Sequence, residues 1–188
     1  MKKLIAMFAF IPMLAQAGVY LEPYLGYGFG DGDYGSYSVD KENGPAYGMR
    51  FGGSLLGLMA GYEYSIFKGD LDLKAGNTTI SYESDVSMHG LFAGYQFPSV
   101  IPLLGKVWGT YYFAGETEIT ATGQDTTKAD IDSGYALGLG LAPIPIPLPF
   151  LSLHFNLEYR HLDYKKDSDG DVLKTDAYIF SVSVPINI

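Results

Sequence analysis

The chain has 188 residues, a formal charge of −9, no cysteine, 24 glycines and 16 tyrosines. The acidic balance excludes a nucleic-acid binder, and the lack of cysteine excludes a disulfide framework and a thiolate metal site. Hydrophobic residues make up 47% and aromatics 15%, with proline gathered between periodic stretches, which points to a β-rich chain able to bury one core.

Lys2 and Lys3 precede an apolar run, Leu4 to Leu14, and an Ala15-Gln16-Ala17 cleavage motif. This is the layout of a bacterial secretory signal peptide, and the run falls short of the ~20 residues of a spanning helix. Residues 1–17 are expected to be removed and 18–188 to form one domain. Gly, Pro or alternating polar residues break every later apolar stretch, so no spanning helix is expected.

From Val19 onward the chain alternates with period two, the mark of strands with one oily and one polar side. Eight strands are predicted. The first covers about Val19 to Tyr27, with Glu22 and Tyr24 on its polar side. The second, Ala46 to Leu55, sets Tyr47, Met49 and Phe51 against Gly48, Arg50 and Gly52. A tight Leu56-Gly57 turn leads to the third, Leu58 to Ile66, with Glu63 on the polar side. The fourth is Asp85 to Phe97. The apolar connection PSVIPLLGK joins it to the fifth, Val107 to Glu116. The sixth, Ile131 to Leu141, puts Asp132 and three glycines opposite leucines. After PIPIPLPF the seventh opens with LSLHFNLEYR, setting Leu151, Leu153, Phe155, Leu157 and Tyr159 against Ser152, His154, Asn156, Glu158 and Arg160. The last runs from Asp176 to Ile188.

The connections alternate. After strands one, three, five and seven they are long and polar, about Phe29–Pro45, Phe67–Ser84, Thr117–Asp130 and Leu162–Thr175; the others are short or apolar. Glycine crowds the polar face, at Gly26, Gly48, Gly52, Gly61, Gly90, Gly94, Gly134, Gly138 and Gly140. Such a face cannot fill a soluble barrel with apolar volume. It does fit the narrow inside of a bilayer-spanning barrel. The fold expected is therefore all-β, an eight-stranded antiparallel transmembrane β-barrel with its oily face toward lipid. Tyr20, Tyr27, Tyr47, Tyr62, Tyr64, Tyr95, Tyr111, Tyr135, Tyr159 and Tyr178 lie mostly near strand ends, where amphipathic rings meet headgroups.

These features, with a closing series of Tyr178, Phe180, Val182, Val184, Ile186 and Ile188, resemble the small bacterial outer-membrane barrels of the OmpA-transmembrane-domain, OmpX and opacity-protein group. The resemblance covers 18–188. It implies a bacterial outer-membrane location, lipid and lipopolysaccharide as surroundings, and a C-terminal series read by the barrel-assembly machinery. That series usually ends in Phe or Trp, and here it ends in Ile188.

Glu22, Arg50, Glu63, Glu116, Asp132, His154, Glu158 and Arg160 share the polar face. Buried charges are tolerated when paired, so these residues are expected to form a luminal ion-pair network, Arg50 and Arg160 bridging the acids. An excess of acid inside would instead favour a narrow cation path. Ser152-x-His154 and Ser87-x-His89 hold triad groups, but residues two apart on a strand are ~6.6 Å apart, beyond the ~2.6–3.2 Å a nucleophile and base need. Outer-membrane lipid A deacylases carry the reverse order, His-x-Ser. No catalytic set and no cofactor are expected. Asp167, Asp169 and Asp171 alternate as calcium-loop ligands do, but Val172 and Tyr178 stand where an EF-hand needs Gly and Glu. The outcome expected is a non-enzymatic barrel with a structural or surface-interaction role, a filled lumen and four long outer loops, its extracellular partner open. A narrow channel is the alternative, and a lipid-modifying enzyme stands behind both.

Overall fold

The computed structural model describes residues 18–34, 37–75, 78–97, 104–121, 126–141, 144–145, 152–165 and 173–188. The segment 1–17, the Asp167–Asp171 run and most of both proline-rich connections lie outside the described residues. The strands are β1 (Gly18–Tyr34), β2 (Tyr37–Leu55), β3 (Leu58–Ala75), β4 (Thr78–Gln96), β5 (Leu104–Ala121), β6 (Thr126–Leu141), β7 (Ile144–Pro145), β8 (Ser152–Tyr164), β9 (Leu173–Ser183) and β10 (Ile186–Asn187).

Each long strand pairs antiparallel with the next, and β9 and β10 both return to β1, which closes an eight-stranded barrel. Closure leaves no sheet edge to lipid, as the bilayer requires. β10 continues β9 in the same register on β1, and the break falls at Val184–Pro185. Pro185 offers no N–H to the ladder, while the Val184 N–H still reaches the Pro23 carbonyl at 3.2 Å. The two-residue β7 makes a separate small ladder with β8.

The first three polar connections are strand over most of their length, and in the fourth Leu162–Tyr164 and Leu173–Thr175 are strand. β1 through β6 run 16 to 19 residues, where a bilayer crossing needs ~9–11. The strands project beyond the membrane as paired ribbons. Alternation continues through these polar stretches with its sense reversed. Phe67, Val86, Ile131, Leu162, Tyr164 and Ile179 point inward and are buried, while Lys68, Asp70, Glu83 and Asp85 are exposed outside. The barrel thus has a bilayer section, oily outside, and a water-facing section, oily inside.

The interior is layered accordingly. At the end carrying Gly18 and Ile188, Tyr20, Met59, Phe92 and Trp108 pack together. A charged layer follows. Toward the hairpin end, Ala46, Phe67, Val86, Met88, Tyr112, Ile131, Ala136, Leu162, Tyr164 and Ile179 form a second apolar cluster. Outside, Leu25, Phe51, Leu58, Leu91, Leu137, Phe155 and Phe180 are exposed. Tyr27, Tyr64, Tyr111, Tyr135 and Tyr178 stand exposed toward the border with the charged section, in the place of a headgroup girdle. Tyr20 is not part of that girdle: it is fully buried in the lumen.

Gly138 sits opposite Trp108 in the β5–β6 ladder, and the indole lies so close over it that a Cβ there would collide with the ring. Gly138→Ala is expected to lower unfolding stability in urea by ~1–3 kcal/mol through overpacking. Gly53→Ala should be near neutral, because its nearest neighbour would be 3.9 Å away.

Candidate functional site

The charged layer is built around Arg50. The two-residue turn at Leu56-Gly57 sets Arg50 directly opposite Glu63, and the β1–β2 ladder sets Glu22 opposite Arg50. One row across three strands therefore reads acid, base, acid. The Arg50 Nε donates to Glu63 at 3.0 Å, Nη2 to Glu158 at 2.7 Å and to Glu63 at 3.2 Å, and Nη1 to Glu22 at 3.5 Å. Its guanidinium also lies 4.3 Å from the Trp108 ring and 4.7 Å from Tyr24, contacts that favour a cation.

Each carboxylate is satisfied by further donors. Glu63 accepts from Thr110 at 2.6 Å, Tyr24 at 2.8 Å and Tyr112 at 3.3 Å. Glu22 accepts from Tyr20 at 2.5 Å and from Lys106. Glu158 accepts from Arg160 at 2.7 Å, and Arg160 also donates to Ser65 at 3.1 Å. Arg50, Glu22, Glu63, Glu158, Arg160 and Lys106 are all essentially buried. Charges taken out of water persist only with this degree of pairing.

Five of the eight residues expected in the lumen meet in this layer: Glu22, Arg50, Glu63, Glu158 and Arg160. His154 is fully buried, opposite Ser183 in the β8–β9 register. Asn156 donates to Ser183 at 2.9 Å, and Lys106 donates to the same hydroxyl at 3.2 Å, which ties β8 to β5.

Glu116 and Asp132 do not belong to the lumen. The β4–β5 register shifts between His89 and Gly90, and the β6–β8 register shifts between Ile131 and Ser133. A bulge adds one residue and flips the faces beyond it. Tyr112 therefore points inward, Thr117 also points inward, and Glu116 turns outward, where it accepts from Lys128 at 2.6 Å. Asp132 sits in its bulge, exposed.

Among the described residues sequence reading missed two buried luminal charges, Glu42, which it placed in the first polar connection, and Lys106. Lys106 stood in the apolar connection before the fifth strand, whereas β5 begins at Leu104. Its even parity with Trp108, Thr110 and Tyr112 was the available signal. The exchange alters the charge of the layer, which now holds Glu22, Glu63 and Glu158 against Arg50, Lys106 and Arg160. Between this layer and the hairpin end, the space lined by Glu42, Phe67, Met88, Arg160, Tyr164 and Ile179 amounts to about 10 Å³, at most room for one water.

Ser87 and His89 point to separate partners. His89 faces out, and its Nδ1 meets the Tyr62 hydroxyl, while Ser87 donates to the Glu116 carbonyl at 3.4 Å. His154 is enclosed in the lumen. The closing series lies on the outer wall at Tyr178, Phe180 and Ile188, which are exposed, and Val182, Val184 and Ile186, which are half-buried.

On the outer face of the water-facing section, Lys68 pairs with Asp85, Lys165 with Asp130, and Lys174 with Asp163. Hydrogen bonds that Lys128 donates to Glu116 and Glu118 raise its pKa, and Lys128 in turn holds the Glu118 carboxyl below its ordinary value. Solvent screens these exposed pairs, so they add little to stability.

The outer membrane protein beta-barrel domain family matches residues 4–184. Neisserial surface protein A is similar over 90% of this chain and 97% of its own, with a TM-score of 0.59 and 14% identity. Ail, the attachment invasion locus protein of Yersinia pestis, solved with the heparin analogue sucrose octasulfate, is similar over 89% of this chain and 99% of its own, with a TM-score of 0.53 and 12% identity. Likeness at these identities speaks to the fold. No curated relative matches in sequence. With a family match across almost its whole length and a closed barrel of eight strands, this chain belongs to the outer membrane protein beta-barrel domain family and resides in the bacterial outer membrane.

Proposed function

We propose that the protein is a non-enzymatic outer-membrane barrel with a structural or surface-interaction role, its lumen closed and its four ribbons presented outside the cell. The observation that carries this reading is the Arg50 layer, which joins β1, β2, β3 and β8 across the lumen. Apolar clusters pack on both sides of it. A path for ions would need water where these side chains sit. Among the described residues three buried bases offset three of the four buried acids, Glu42 being the fourth, which leaves little of the acid excess on which cation preference would rest.

A non-catalytic role is supported by the state of the two histidines that stand in Ser-x-His pairs. His154 is shut in the lumen, and the ring of His89 is held by Tyr62 and stacked near Tyr64 at 5.0 Å. Surface interaction is supported by the projecting ribbons, whose outer faces carry charges of both signs. Lipid and lipopolysaccharide are the partners that fit the oily wall and its charged border, and the assembly machinery is the partner that fits the closing series.

Two measurements test the plug. In planar bilayers the refolded barrel is expected to be electrically silent; steady cation-selective openings that change in Arg50→Ala would overturn the reading. Arg50→Met leaves three carboxylates short of a partner and is expected to cost ~3–5 kcal/mol of urea stability. Cells expressing the protein should also lose surface adhesion when residues 166–172 are replaced by a short turn, with barrel insertion unchanged. Adhesion equal to that of the intact protein would remove the surface role from that ribbon.

A further inference from the structure

The two ends of the barrel differ in charge far more than in size. Residues 51–62 and 177–188 contain no Asp, Glu, Lys or Arg; 90–115 contain only Lys106, and 133–157 none, with His154 their one further titratable group. Lys106 and His154 are both buried in the lumen. Among the described residues, the outer face at the end bearing Gly18 and Ile188 carries no charged side chain, whereas the hairpin end carries Lys68, Asp85, Lys165 and Asp130.

The turn at this end is unusual in its own right. Leu56 and Gly57 have φ of 51° and 85°, the left-handed pair of a type I′ turn. Asn, Asp or Gly normally takes the first of these positions, and a leucine there is strained. The Leu56 side chain makes no use of the barrel to offset this, being 84% exposed.

Its neighbours extend the same surface. Leu58 is 61% exposed, Val19 59% and Ile188 83%. Gly18 pairs with Ser54, and Val19 exchanges backbone hydrogen bonds with Ile188 at 2.7 and 3.0 Å. The rim is thus continuous with the lipid-facing wall above it. Its height agrees with this. Tyr47 lies nine residues before Leu56 in the sequence. At ~3.4 Å per residue and a ~40° tilt this spans roughly 23 Å along the membrane normal, against an apolar band ~25 Å tall.

We propose that this rim is a lipid-binding surface: the Leu55–Leu58 turn, with Val19 and Ile188 beside it, is seated in the acyl–headgroup boundary of the leaflet at this end of the barrel, and Leu56 is its anchor. The occupant is phospholipid. Continuity with the lipid-facing wall and the absence of a charged side chain among the exposed described residues of this rim favour it over a docked partner.

The chain has no cysteine, so a single introduced thiol can be labelled cleanly. Leu56→Cys carrying a nitroxide, in the full barrel refolded into phosphatidylcholine–phosphatidylglycerol vesicles, should collide with oxygen several-fold more readily than with a water-soluble nickel chelate. Asp70→Cys, exposed in the charged section, should show the opposite ranking. A Leu56 label as open to the nickel chelate as the Asp70 label would overturn the proposal. So would a label shielded from both reagents, which would mean contact with protein. If the Leu56 label hinders refolding, Leu58→Cys reports on the same rim and must rank the reagents in the same way.

Discussion

The constraint behind this structure is that a bilayer offers the backbone no hydrogen-bond partner. Every N–H and C=O in the crossing section must be paired within the protein, and β9 and β10 meet that demand by returning to β1. Closure with eight strands then fixes a narrow tube. The tube is too small for a water column beside large side chains, so whatever points inward must pack and pair. Glycine at positions such as Gly90 and Gly138 leaves the room that Tyr112 and Trp108 occupy. The Arg50 layer is what closure makes of an inward face carrying charge.

Beyond the membrane the same ladders continue under a different solvent. Water can now satisfy the outer face, and lipid no longer demands oil there. Sidedness reverses as a result: Phe67 and Val86 turn in while Lys68 and Asp85 turn out. The shifts near Gly90 and Asp132 lie close to this reversal. A one-residue bulge is the smallest change that exchanges the faces of a strand without opening the barrel. The protein is thus one sheet that crosses a solvent boundary and changes its inside at that boundary.

The fold was legible in sequence wherever a single solvent acted on a strand. The alternation from Ala46 to Ile66 gave strands, faces and turn, and the two-residue turn alone implies that Arg50 faces Glu63. The polar ribbons were not legible because composition was taken as the sign of a loop. Their alternation persisted at Phe67 and Leu162, but with the polarity of a soluble barrel. Glu116 and Asp132 were misplaced for a related reason, since parity counting assumes an unbroken ladder and nothing local marks Asp132 as an extra residue. Lys106 was lost to an apolar neighbourhood that read as a turn. The network's centre was therefore visible from the sequence, and its charge balance was not.

The persistence of buried charge in such a lumen needs a reason, because well-packed apolar residues can replace a buried ion network without loss of stability. One reason lies in the chain before it folds. A protein bound for the outer membrane must first pass the inner one, and ~20 uninterrupted apolar residues would stop there as a helix. Residues 46–66 carry only Arg50 and Glu63 as charges; made apolar at both sites, this stretch would approach a spanning helix in length and oiliness. Residues 133–157 have no charge at all, and there Pro143, Pro145, Pro147 and Pro149 interrupt the run instead. The charges that fill the barrel and the prolines that connect its strands thus meet a shared requirement: each keeps an oily strand from being read as a helix on its way to the membrane where it belongs.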